Sequence, residues 1–127
     1  MRRFAWLLLC TLTACVGSAP SAPHRFIVFF QAWSAAIDAP ASTAITGAAQ
    51  WAKDHPDAVV KVIGYADPTG SGAANENMSH TRAQVVADQL VTDGVDRNRI
   101  GLGAEGATGF ALTSQESRRV EIVIGGP

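Results

Sequence analysis

Two opposite charges, Asp67 and Arg82, flank a short loop of small and polar residues. Asp67 follows the apolar run 59–65, which has the pattern of a buried strand, and Arg82 comes just after Ser79, a residue typical of helix starts. A helix start supplies unpaired N–H groups and the positive end of the helix dipole, which favour a bound carboxylate. Arg82 can hold that carboxylate by two parallel bonds, and Asp67 can hold an ammonium group. The spacing therefore predicts a site for a small zwitterionic ligand.

The segments around this pair predict strands alternating with helices. The predicted elements are a strand at 26–30, a helix opened by Asp38-Ala39-Pro40 and ending near His55-Pro56, a strand at 59–65, a helix capped by Ser79 and ended by Asp93-Gly94, and strands at 100–102 and 120–124. This order predicts an α+β fold. We expect a two-layer sandwich, with a mixed four-stranded sheet and two main helices on one face.

The N-terminus has the features of an export signal. A basic start is followed by an apolar run, 4–12, that is too short to span a bilayer. The next residues, Leu12-Thr13-Ala14-Cys15, resemble the lipobox of bacterial lipoproteins. This resemblance implies a signal peptide at 1–14, a lipidated Cys15 that opens a short linker at 15–24, and a folded domain at 25–127. The alternative is an ordinary secretory signal in which Cys15 occurs by chance.

Anchoring at Cys15 would leave the exported domain without a disulfide, because Cys10 is removed with the signal. Several acyl chains on one residue form a stable anchor. Val16 follows Cys15 where, by resemblance to lipoprotein sorting signals, an Asp would favour the inner membrane. We therefore expect the outer membrane, with the domain on its periplasmic face.

Composition excludes several classes of function. The 127 residues carry ten basic and eleven acidic side chains, and removal of Arg2 and Arg3 leaves eight basic ones and a formal charge of −3. A mildly acidic domain without a basic run argues against nucleic acid as a partner. The three histidines lack metal-ligand spacing, so we expect no metal and no cofactor.

Catalytic patterns are present only superficially. The glycine-rich run at 101–106 matches the dinucleotide fingerprint, but neither a strong strand before it nor a clear helix after it is predicted. Ser79, His80 and Asp67 can be drawn as a triad, but Ser79 is better explained as a helix cap. We therefore expect a protein that is not an enzyme and has no catalytic residues, with an envelope hydrolase as the weakest alternative.

Trp33 and Trp51 raise the question of carbohydrate stacking, because exported proteins near cell-wall glycans often use exposed aromatic side chains. At helical or strand-end positions an aromatic residue more often packs on the core. We therefore expect both tryptophans to pack on the core and place neither in the site.

The central and closing motifs strongly resemble the OmpA C-terminal-like domain family, the peptidoglycan-binding module also found in peptidoglycan-associated lipoproteins. The similarity covers essentially the whole of 26–124. The matching motifs are Gly64-Tyr65-Ala66-Asp67 for Gly-His-Thr-Asp, Asn75-x-x-Met78-Ser79-x-x-Arg82-Ala83 for Asn-x-x-Leu-Ser-x-x-Arg-Ala, and Ser117-Arg118-Arg119-Val120-Glu121-Ile122 for Asn-Arg-Arg-Val-Glu-Ile. Tyr65 and Ala66 depart from the family pattern and remove a hydrogen-bonding group.

The resemblance implies a role for four residues. Asp67 and Arg82 would clasp the diaminopimelate of the peptidoglycan stem peptide, Asn75 would order the loop or meet the peptide, and Arg119 would give a supporting contact. For Arg119 the alternative is a surface ion pair. The implied function is non-covalent tethering of the outer membrane to the wall. The alternative is an envelope protein–protein interaction module, as in a Tol-Pal-like complex, with weak or no wall binding.

Overall fold

The computed structural model describes residues 22–66, 71–106 and 117–125. Within these ranges it confirms the predicted α+β class. The elements are β1 (His24–Phe29), α1 (Ala39–Asp54), β2 (Val60–Tyr65), α2 (Gly72–Thr92), a 3₁₀ turn (Arg97–Arg99), β3 (Ile100–Gly106) and β4 (Arg119–Ile124).

The four described strands form one mixed sheet in the order β1-β4-β2-β3. Strand β4 pairs antiparallel with both β1 and β2, whereas β2 pairs parallel with β3. A parallel pair needs a long crossover connection, and α2 supplies it between β2 and β3. The end of β2 and the beginning of α2 are therefore neighbours in the chain at one end of the sheet.

Residue alternation gives the sheet two different faces. On one face, apolar side chains of β2 and β4 pack against both helices and are fully buried. We call the other side of the sheet the open face; its side chains include Arg25, Tyr65, Arg119 and Glu121. The core residues on the helix side include Val28, Ile45, Ala48, Ala52, Val60, Val62, Ala83, Val86, Leu90, Val120, Ile122 and Ile124.

Capping residues in the sequence determine the start of α1 and the end of α2. The Asp38 carboxylate accepts a hydrogen bond from the Ala41 backbone N–H at 2.9 Å, and Pro40 lies in the first turn of α1, as predicted. At the end of α2, Asp93 is the C-cap residue, and Gly94, which follows it, has a φ of 104°. That left-handed conformation favours glycine and closes the helix.

The predicted start of α2 is wrong. The helix begins at Gly72, with the Ser71 hydroxyl accepting from the Ala74 N–H at 3.1 Å, so Ser79 is not the cap. Ser79 is fully buried inside the helix, where its hydroxyl donates to the Glu76 carbonyl at 2.8 Å. The inward stripe of the early turns is polar, and a search for apolar periodicity therefore places the helix start too late.

Neither helix in the described part of the chain has the length and apolar character needed to cross a membrane.

Candidate functional site

A small cavity of about 30 Å³ lies where β2 ends, α2 begins and the β1–α1 loop passes. This volume accommodates roughly one water molecule or a small polar group. Its lining combines cationic, amide and apolar side chains. The described residues that line it are Ala32, Trp33, Ala66, Asn75, Met78, Arg82 and Arg118.

Arg82 forms one wall of this cavity from within the fold. Its side chain is only 1% exposed, and its guanidinium carbon lies 5.4 Å from the centre of the Phe30 ring. Nε donates to the Ser34 carbonyl at 2.8 Å and Nη2 donates to the Gln31 carbonyl at 3.0 Å. Arg82 therefore fixes the β1–α1 loop and holds a positive charge at the cavity wall.

Asn75 joins Arg82 at the cavity. It is 4% exposed and lies in the early part of α2, on the same inward stripe as Ser79 and Arg82. Residues on one stripe of a helix share its buried face, so the early part of α2 presents polar groups to the cavity. The structure thus brings together two of the four residues predicted for the site.

Arg118, which sequence reasoning did not select, also lines the cavity. Its Nε donates to the Phe30 carbonyl at 3.3 Å, and its backbone carbonyl accepts from the Phe30 N–H at 2.9 Å. Two arginines therefore line one small cavity, and cationic side chains attract anionic groups. The alternation of β4 could have revealed this, because Val120 faces the core and the residue two positions before it shares that face.

Arg119 lies on the open face of the sheet, away from the lining of this cavity. Its Nε donates to a Glu121 carboxylate oxygen at 3.1 Å, and its guanidinium carbon lies 3.9 Å from the centre of the Tyr65 ring. Glu121 is 7% exposed and also pairs with Arg25 at 3.1 Å. Arg119 thus forms an ion pair, as in the alternative considered for it, but the pair is largely buried and not at the surface.

Tyr65 belongs to the same open-face group. Burial, followed by the charge of Glu121, raises the pKa of its hydroxyl above the ordinary value of 10.0, and Arg119 opposes that shift. The two departures from the family motif thus have different surroundings. Ala66 lines the cavity and is 2% exposed, whereas Tyr65 is partly exposed and contacts Arg119 on the open face.

The two tryptophans also differ from each other. Trp51 packs on the core as expected, and its ring stacks between His24 and His55, with centroid separations of 4.9 and 3.5 Å. Trp33 is 60% exposed at the edge of the cavity, so the expectation that it packs on the core is wrong. Trp33 lies in a tight turn between β1 and α1, in which Gln31 and Ala32 are also exposed.

Asp67 and Cys15 lie outside the described residues. Asp67 directly follows Ala66, which is at the cavity. In the described ranges, no group of three or more His, Cys, Asp or Glu side chains is arranged to hold a metal ion.

The two-layer sandwich with its mixed four-stranded sheet matches the fold of OmpA-like domains. The OmpA family model matches residues 29–121, and the chain belongs to the OmpA family.

Relatives of this chain include a probable lipoprotein and a peptidoglycan-binding protein. It is 38% identical over 103 residues to the probable lipoprotein YiaD of Escherichia coli, a match that covers 76% of this chain and 47% of YiaD. It is 43% identical over 75 residues to the peptidoglycan-binding protein ArfA of Mycobacterium tuberculosis, covering 54% of this chain and 23% of ArfA. The chain thus spans about half or less of the length of these curated relatives.

Solved structures share the fold. The peptidoglycan-associated lipoprotein from Burkholderia pseudomallei matches with a TM-score of 0.70 and 23% identity, covering 78% of this chain and 89% of that one. The OmpA-like domain of FopA1 from Francisella tularensis matches with a TM-score of 0.71 and 25% identity, covering 81% of this chain and 72% of that one.

Proposed function

We propose that this protein is an outer-membrane lipoprotein that binds peptidoglycan without a covalent bond and thereby tethers the membrane to the wall. The observation that carries the proposal is the cavity in which Arg82, Arg118 and Asn75 meet. Membership of the OmpA family and similarity to a protein named for peptidoglycan binding support the same conclusion.

The chemistry of the ligand fits these residues. Diaminopimelate ends in a carbon that carries both a carboxylate and an ammonium group. The cationic wall formed by Arg82 and Arg118 favours the carboxylate, and Asn75 offers an amide for hydrogen bonding. In this proposal Asp67 receives the ammonium group, and Arg118 takes the supporting role that the resemblance implied for Arg119.

Binding of this kind needs no reaction. The OmpA family is a non-enzymatic type of domain, and we assign no catalytic residue and no cofactor to this chain. Anchoring would come from the lipid on Cys15, which similarity to a probable lipoprotein supports. Incorporation of labelled palmitate into the wild type, but not into Cys15→Ser, is the expected result; equal labelling of both would contradict the anchor.

Wall binding is tested with the full chain in mild detergent, sedimented with purified diaminopimelate-type sacculi. We expect the wild type to pellet and Asp67→Asn to remain in the supernatant, because the amide keeps the shape but loses the charge. Asp88→Asn is the matched control, since Asp88 pairs with Arg97 on the exposed side of α2. A wild type that stays in the supernatant, or an Asp67→Asn variant that pellets equally, would contradict the proposed site.

A second candidate is a protein-interaction module of the cell envelope. The open face favours it, because Ile27 and Phe29 are 42% and 41% exposed beside the Arg25–Glu121–Arg119 group. Apolar side chains next to ionic groups are common at protein interfaces. Failure of the wild type to bind sacculi, together with capture of a defined envelope protein that Phe29→Ser abolishes, would favour this candidate.

A further inference from the structure

Trp33 places an exposed aromatic ring at the edge of the candidate site. Its 60% exposure is larger than that of the other exposed large hydrophobic side chains in the described ranges, which are Ile27, Phe29, Val59 and Leu102. Trp33 lines the same cavity as Arg82 and Asn75. An exposed indole next to a polar cavity has the mixed apolar and polar character of a binding surface.

The backbone at Trp33 is in an unfavourable conformation for its residue type. Its φ is 54°, and it is the one non-glycine residue with a positive φ in the described part of the chain. The Ser34 N–H donates to the Gln31 carbonyl at 3.2 Å, which closes a tight turn with Trp33 at its third position. Glycine or asparagine is preferred there, so a bulky tryptophan costs free energy that the turn alone does not require.

Arg82 holds this turn on both sides of Trp33. Its guanidinium bonds to the carbonyls of Gln31 and Ser34, while the Ser34 hydroxyl accepts from the Ala36 N–H at 3.0 Å. The backbone that carries Trp33 is thus held relative to the guanidinium that forms the cavity wall. A platform that is fixed before binding loses little conformational freedom when a ligand arrives.

We propose that Trp33 is a stacking platform for a sugar ring of the glycan strand, beside the cavity that takes the stem peptide; this inference rests on the proposed function. The C–H groups on one side of a pyranose are slightly positive and fit the negative face of an indole. The stem peptide is joined to a sugar, and diaminopimelate is its third residue. Three extended residues span about 10 Å, so a sugar lies within reach when the peptide occupies the cavity.

The test compares two soluble ligands on the full chain in detergent by titration calorimetry. One is the free stem tripeptide with diaminopimelate, and the other is the same tripeptide attached to its disaccharide. The variant is Trp33→Gly, because glycine accepts the positive φ and keeps the turn while removing the ring. Trp33→Phe restores an aromatic face, and thermal unfolding of each variant checks the fold.

We expect the wild type to bind the disaccharide-peptide about 5–10-fold more tightly than the tripeptide, in line with the energy of an aromatic contact. Trp33→Gly should lose this preference, so that it binds the two ligands with similar affinity, and Trp33→Phe should recover most of the preference. Equal affinity of wild type and Trp33→Gly for the disaccharide-peptide would overturn the inference and leave the proposed function intact. An equal loss for both ligands would also overturn it. A wild type that binds neither ligand would refute the proposed function itself.

Discussion

Strand β2 passes α2 so closely at Gly64 that the backbone of Ser79 occupies the space of a side chain there. A Cβ added at Gly64 would overlap the Ser79 carbonyl oxygen and stand 2.8 Å from the Ser79 carbonyl carbon. The obstacle is helix backbone, which cannot rotate away as a flexible side chain can. This contact explains why the motif before Asp67 begins with glycine, and it sets the distance between β2 and the polar stripe of α2.

Replacement of Gly64 by alanine should therefore push α2 away from the sheet. We expect Gly64→Ala to lower the free energy of unfolding by about 1–3 kcal/mol, the usual cost of overpacking. Gly101→Ala on β3 is the matched control, because the nearest atom to its added Cβ is the Val60 carbonyl oxygen at 4.0 Å. Denaturant unfolding of both variants checks this, and equal stability would show that the close approach is unimportant.

Arg82 should be needed for folding as well as for binding. Truncation by Arg82→Ala removes the side-chain donor to the Ser34 carbonyl and one of two donors to the Gln31 carbonyl, and it empties the space of a buried side chain. We expect a loss of about 2–4 kcal/mol in the free energy of unfolding. At 1% exposure, Arg82 lies inside the fold, so its loss should affect stability as well as ligand binding.

Arg82→Lys separates charge from geometry in the same measurement. Lysine keeps the positive charge but cannot present the planar fork that reaches two carbonyls. We expect a stability between those of the wild type and Arg82→Ala. A lysine variant as unstable as alanine would indicate that the fork alone matters, and an alanine variant as stable as the wild type would contradict the structural role.

Glu121 should stabilise the open face through its two ion pairs. Its side chain is 10% exposed and contacts both Arg25 and Arg119 at 3.1 Å. Glu121→Gln should cost about 1–3 kcal/mol, because Arg119, at 15% exposure, loses a poorly solvated partner. Asp88→Asn at the exposed pair with Arg97 is the comparison, and we expect it to cost less than about 1 kcal/mol. Similar losses of stability in Glu121→Gln and Asp88→Asn would contradict this role of Glu121.

Tyr65 should make stability depend on alkaline pH. Its pKa is raised in the folded state, chiefly by burial, so the native protein holds the phenolic proton more tightly than the unfolded chain does. This contribution is complete below a pH of about 10 and is lost as the pH rises through the higher folded-state pKa. Tyr65→Phe, which keeps the ring, should therefore lose less stability than the wild type as the pH rises above about 10. If the free energy of unfolding falls equally with pH in the wild type and in Tyr65→Phe, Tyr65 does not cause this pH dependence.

The fold could be predicted from the sequence where helix-capping residues or alternating apolar residues mark an element clearly. Asp38 and Pro40 marked the start of α1 correctly, and the inward positions Val120 and Ile122 defined β4. The start of α2 could not be found from apolar periodicity, because Asn75, Ser79 and Arg82 make its inward stripe polar. Tertiary contacts, not hydrophobic pattern, keep those groups buried.

The site was only partly predictable for related reasons. Arg82 and Asn75 were identified from their motif, and both line the cavity. Arg118 could have been selected over Arg119 from the alternation of β4, since adjacent strand residues face opposite sides. Trp33 was considered for carbohydrate stacking but wrongly assigned to the core, because its positive φ runs against the local preference of a tryptophan.

The central claim is that the cavity recognises the carboxylate at the end of diaminopimelate. The most direct measurement titrates the full chain in detergent with two stem tripeptides that differ only at the third residue, which is diaminopimelate in one and lysine in the other. Lysine keeps the ammonium group but lacks the carboxylate that faces Arg82 and Arg118 in our proposal. We predict that the diaminopimelate peptide binds about tenfold or more tightly, the value of one charge-assisted contact. Equal affinities, or no binding of either peptide, would contradict the proposed function.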